Sequence, residues 1–120
     1  MNLRRAFEMA REFSVRIEHA DLGTWGAHEL RSEYDPSGPV IRVNQRVIES
    51  LRANEAAQFI SMAVGHELYH HLEHRGDVDR VADRKARERA ADAFALELLN
   101  QCHFERNEVE PRSWLTEKGF

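Results

Sequence analysis

Cysteine occurs once in the 120 residues, at Cys102, so no disulfide can form within the chain. That fits a reducing compartment, and Cys102 reads as a packed helix position rather than a reactive thiol. Long apolar runs are missing too. Arg4 and Arg5 are not followed by the apolar stretch of a signal peptide, and nothing approaches the roughly 20 residues of a membrane span. The expected location is the cytoplasm, with no membrane association. Nor is there an excess of positive charge, since 17 Lys and Arg against 21 Asp and Glu leave a formal net charge of −4. That balance offers no electrostatic attraction to a phosphate backbone, and neither a zinc finger nor a helix-turn-helix pattern is visible, so direct nucleic-acid binding is not expected. Repeats, low-complexity tracts and linkers are absent as well. What is there, 42% hydrophobic and 32% charged residues, suffices for one core, and residues 1–120 read as a single domain.

Against this background His66-Glu67-Leu68-Tyr69-His70 stands out as an H-E-x-x-H motif, in a stretch from about Asn54 to Arg75 with the pattern of an amphipathic helix. Residues four apart share a helix face, so the two imidazoles can converge on one zinc ion, while Glu67 projects from the flank towards its water. A catalytic zinc takes three protein ligands and leaves the fourth position for water, so one ligand remains to be found. Eighteen residues after His70 comes Glu88, in a second helical run placed at about Asp79 to Gln101. Glu88 is the expected third ligand. Asp92, one turn further on the same face, is placed to orient a ligand histidine from behind, and Ala91 and Ala95 would let the second helix approach the first closely. A motif this short also arises by chance, so context carries the reading. That context is the apolar helix before it (Ala56, Phe59, Ile60, Ala63, Val64), a turn at Gly76-Asp77 and the acid beyond.

Two other patterns compete. His28-Glu29-Leu30 repeats the first letters of the motif, but Ser32 stands where the second histidine should be, and the segment reads as a strand. His70-His71-Leu72-Glu73-His74 fits the inverted H-x-x-E-H pattern, with His70 and His74 as ligands and Glu73 as base. The first motif is preferred because Glu88 completes it and because His74 falls at the fraying end of the helix, beside Arg75-Gly76. His71 and His74 then read as solvated surface residues.

Along the rest of the chain, Leu3, Phe7, Ala10, Phe13 and Ile17 recur at helical spacing and predict an amphipathic first helix over residues 2 to 20. Asp35-Pro36-Ser37-Gly38 is a turn signal before a Val40 to Val43 strand, which suggests a β-hairpin with one strand bordering the cleft. Trp25 and Tyr34 either line that cleft or pack in the core. Gln45 to Ala53 reads as a short helix or helical turn, Asn54 as the N-cap of the next helix, and Pro111 to Leu115 as either a last short helix or a loose tail. Arg84, Lys85, Arg87 and Arg89, mixed with acids, read as a solvated helix face.

From about Val40 to Leu99 the chain resembles the ImmA/IrrE metallopeptidases. Val40-Ile41-Arg42-Val43-Asn44 looks like that family's short strand ending in Asn. Gln58 to His74 looks like its active-site helix, and Glu88-x-x-Ala91-Asp92-x-Phe94-Ala95 is similar to its E-x-x-A-N-x-F-A segment. Three positions depart from the pattern: Gly65 where Ala usually stands, Tyr69 where Gly is common, and Asp92 where Asn is usual. None removes a ligand or the base. The resemblance implies an α+β, zincin-like domain with an N-terminal helix, a small β-sheet or hairpin, the active-site helix and a second helix bearing the third ligand. It further implies a bacterial or phage regulatory protease that cuts a helix-turn-helix transcriptional repressor.

The expected chemistry is zinc-dependent hydrolysis of a peptide bond, with His66, His70 and Glu88 holding one Zn2+ per chain and Glu67 as base and then acid. His103, Tyr69 and His74 are the candidates for stabilising the oxyanion. Two rivals stay open. One is a zincin-fold binding module that sequesters a regulatory partner without cleaving it, with a structural zinc whose fourth ligand is His74 or Cys102. The other is a metallohydrolase of a small amide or another non-peptide bond, which would use the same residues.

Overall fold

Ser14 divides the amino-terminal segment in two. In the computed structural model, which describes residues 1–25, 28, 29 and 31–101 apart from the side chains of 24, 25, 28 and 29, helix α1 covers only Arg5–Glu12. Ser14 has φ 58°, a left-handed conformation that ends helices and that a non-glycine residue adopts only at some cost. The chain then runs extended as β1, Arg16–Ala20. This corrects the helix expected over residues 2 to 20. Val15 and Ile17, β-branched and separated by Arg16, follow the period of two of a strand, and the helical spacing of Phe13 and Ile17 is coincidental. The buried face of α1 is formed by Arg5, Ala6, Met9 and Ala10, and Phe7 is exposed.

Strands β2 (Thr24–Trp25) and β3 (His28–Glu29) pair as a short antiparallel ladder, so the segment with the incomplete motif is a strand as expected. The expected hairpin is formed by β4 (Ser32–Asp35) and β5 (Val40–Asn44), and β1 adds parallel to β5 to give a sheet of order β1-β5-β4. Register sorts the side chains of this sheet by face. Glu18, Arg42 and Glu33 are direct neighbours, and Arg42 reaches Glu33 at 2.9 Å, Asp35 at 3.4 Å and Glu18 at 3.5 Å. On the opposite face Ile17, Ile41 and Tyr34 align, as do Val43 and Ser32.

Asn44 ends β5 and caps α2 (Gln45–Glu49). Fully buried, it accepts through Oδ1 from the N–H of Arg46 (3.1 Å) and of Leu22 (3.2 Å) and donates through Nδ2 to the Gly23 carbonyl (3.1 Å). The long helix α3 spans Ala53–Arg75. Its start is held by Glu55, which accepts from the Arg52 N–H at 3.1 Å, while Asn54 lies exposed inside the first turn and is not the cap. Gly76, at φ 84°, ends it: the N–H of Asp77 bonds back to the Leu72 carbonyl at 2.9 Å. Helix α4 is Arg84–Leu99, beginning five residues later than the expected Asp79, because Asp83 accepts from the Ala86 N–H at 2.9 Å and fixes the first turn there.

α3 lies against β4 and β5, flanked by α1 and α4, and the core between them is built from Met9, Ile41, Val43, Val64, Leu68 and Leu98. The architecture is α+β. Among the described residues no helix is long and apolar enough to cross a membrane. Cys102, His103 and the segment from Pro111 to Leu115 lie outside the described residues, as does the side chain of Trp25.

Candidate metal centre

His66 and His70 are four positions apart, and the rotation of about 100° per residue brings both imidazoles to one side of α3. α4 crosses that side closely. A Cβ placed on Gly65 would meet the Ala95 Cα and Cβ at 2.9 Å, so the glycine permits the approach. The crossing carries Glu88 to the two rings. Its Oε1 is 3.0 Å from His66 Nε2 and its Oε2 is 3.2 Å from His70 Nε2, and the two Nε2 atoms are 3.3 Å apart.

The outer ring nitrogens face carboxylates as well: His66 Nδ1 is 2.7 Å from Asp92 Oδ1, and His70 Nδ1 is 2.8 Å from Glu73 Oε1. With a cation at the two Nε2 atoms, the ring protons would belong on Nδ1, where the Asp92 and Glu73 carboxylates accept them. That leaves both Nε2 lone pairs and the Glu88 oxygens directed at one point. Two nitrogens and a carboxylate are a zinc donor set, and a tetrahedral shell with bonds of ~2.0–2.1 Å separates its ligands by about 3.3 Å. The 3.3 Å between the two Nε2 atoms matches that edge, Glu88 brings a different oxygen to each ring, and His66, His70 and Glu88 form a group of described residues that could hold a metal ion.

Glu67 projects beside this group and is only 6% exposed. Ser32 Oγ, on the inner face of β4, donates to Glu67 Oε2 at 2.7 Å. Burial pushes the Glu67 carboxyl up from the ordinary carboxylate range; the Ser32 hydrogen bond and the two nearby histidines act in the opposite direction, and Glu88 adds to the rise. An open cleft of about 330 Å³ leads to it, lined by Arg31, Ser32, Phe59, Met62, Ala63, His66, Glu67, Glu88 and Asp92. Phe59, Met62 and Ala63 of α3 give its lining an apolar part beside the polar groups.

The other site candidates among the described residues are placed elsewhere. Tyr69, turned one residue away from His70, packs on Phe94 of α4 with ring centroids 5.8 Å apart and does not line the cleft. His74 is exposed one turn past His70, its ring 6.3 Å from that of Tyr34. Glu73 is bonded to His70 Nδ1, which is not the position of a base in the inverted motif. His71 is not a surface residue. It is 5% exposed, hydrogen-bonded through Nδ1 to the Tyr34 hydroxyl at 2.6 Å and edge-on to Phe13, because β4 passes over this turn of α3. Burial, with Arg75 and His74 nearby, lowers its pKa, and Asp77 opposes this.

Sequence reasoning missed Ser32, Glu73 as the partner of His70, and Arg31 as a cleft residue. Only Glu73 had a visible signal, its i, i+3 spacing from His70. Compared with known proteins, the chain matches no family model, no curated protein and no solved structure.

Proposed function

We propose that this protein is a zinc-dependent metallopeptidase of zincin type, akin to the ImmA/IrrE family it resembles, acting on a helix-turn-helix repressor. The observation that carries the reading is the convergence of His66 Nε2, His70 Nε2 and Glu88 at 3.0–3.3 Å with the buried carboxylate of Glu67 beside them. Zinc held by His66, His70 and Glu88 would supply a Lewis acid that polarises a carbonyl and lowers the pKa of a water. Glu67 would serve as the general base and then as the acid towards the leaving amine, and the Ser32 hydroxyl, by donating to Oε2, leaves Oε1 free to carry the proton. Arg31, the cleft-lining side chain with permanent positive charge among the described residues, joins Tyr69, His74 and His103 as a candidate for the developing oxyanion. β4, the edge strand nearest the cleft, offers backbone groups along which an extended peptide can lie.

The test begins with metal content. One zinc per chain after gentle dialysis, lost in Glu88→Ala, is the expected result; zinc retained unchanged in the variant would move the third ligand elsewhere. Incubation of the loaded protein with purified repressors, read by mass spectrometry, then separates the activities. A discrete cut is expected. A repressor bound but left whole would favour the partner-sequestering module, and cleavage confined to small amides would favour the non-peptide hydrolase.

A further inference from the structure

We infer that Glu73 is a positioning residue that sets the metal affinity of the centre, through the hydrogen bond that holds His70 with its Nε2 turned towards His66 and Glu88. The inference rests on the metal-centre reading above. Two carboxylates grip the two ligand rings from behind, but they differ. The Asp92 side chain is 67% exposed and the Glu73 side chain 8%. Water screens the first and not the second. Of Glu73, Oε1 meets His70 Nδ1 at 2.8 Å, while Oε2 is buried with no hydrogen-bond partner among the described residues.

A carboxylate buried on such terms is costly to the fold unless positive charge stands close by. An i, i+3 pairing added only for helix stability would sit in solvent with both oxygens hydrated, as surface pairs do. The charge gains its partner when a cation sits at His70 Nε2, one imidazole ring away. Glu73 therefore favours the loaded state over the metal-free one, and it fixes the His70 tautomer that exposes the Nε2 lone pair.

The experiment is zinc affinity by competition with a chromophoric chelator, together with thermal unfolding of the metal-free protein, for wild type, Glu73→Ala, Glu73→Gln and Glu88→Ala. Glu73→Ala should bind zinc about ten- to a hundredfold more weakly. Its metal-free form should be no less stable than wild type. Glu73→Gln, whose amide oxygen still accepts from Nδ1–H, should recover part of the loss. If Glu73→Ala binds zinc as tightly as wild type, or if its only defect is easier unfolding without metal, Glu73 is a helix-stabilising residue and the inference falls alone. If wild type binds no zinc, or Glu88→Ala binds it equally well, the metal centre itself is wrong and the inference goes with it.

Discussion

Glu67 is held on one side by a strand and opens on the other to the cleft, and that division defines what each neighbouring residue contributes. Exchanging its carboxylate for an amide preserves the Ser32 contact and the ligand set but removes the proton acceptor. Glu67→Gln should retain full zinc on elemental analysis while peptide cleavage falls by about 10²–10⁴. Ser32→Ala makes a finer cut. The lost bond, to a charged group, corresponds to ~1.5–3 kcal/mol, so turnover should drop about tenfold or more with zinc content unchanged; an unaltered rate would leave Ser32 without a role. That His66 and His70 share a face of α3, and Glu88 and Asp92 a face of α4, could be read from spacing because helix rotation sets it; that the two faces meet depends on the crossing at Gly65 and Ala95. Ser32 could not be named from spacing, since it comes from a strand 35 positions upstream and meets Glu67 only after the sheet has formed. His71 was misread for the same reason: its burial is made by Tyr34 and Phe13, which no helical period reveals.

The helices meet where side chains are smallest. Gly65 lies under Ala95, and a methyl group there presses on backbone that cannot swing aside. Overpacking of this kind costs ~1–3 kcal/mol, against which the better helix propensity of alanine returns about 1. Gly65→Ala should therefore lower the midpoint of urea unfolding and, by moving α4 outward with Glu88, weaken zinc binding as well. A variant as stable as wild type would mean that the helices have slack. The glycine at position 65 thus has a local steric cause. β4 has its own attachment to α3. Tyr34→Phe removes the hydroxyl that satisfies His71 Nδ1 and leaves a buried ring nitrogen unpaired, so a loss of about 1–3 kcal/mol in unfolding free energy is expected. Periodicity gave the type of α1, α3, α4 and β5 but not of β1, which it made part of the first helix, and it did not give boundaries. The first helix was overrun because one left-handed residue, Ser14, ended it, and α4 began late because Asp83 capped it.

At the scale of the whole molecule, His66 and His70 of the proposed metal centre belong to α3 and Glu88 to α4, which are connected through residues 76–83. An ion at that point ties the two helices together. Zinc at a hundredfold excess over its dissociation constant should stabilise the fold by about 2.7 kcal/mol, seen as a rise in the melting temperature that a chelator reverses. Glu88→Ala should show no such rise. Equal melting with and without zinc would mean that the ion does not bind the folded chain.

Ser32 and Tyr34 are two apart on one face of β4, and their partners Glu67 and His71 are four apart on α3. Two strand residues advance ~6.8 Å and four helical residues ~6.0 Å, so the strand and the helix are graduated alike, as rulers laid edge to edge. A strand shifted by one residue would turn Ser32 and Tyr34 outward and bring Glu33 round to face Glu67, acid against acid. The hydroxyl that steadies the base would be gone in the same movement. If the proposed function holds, faulty assembly of the sheet and loss of the chemistry would be a single event, and a wrongly folded copy would be disarmed by its own error.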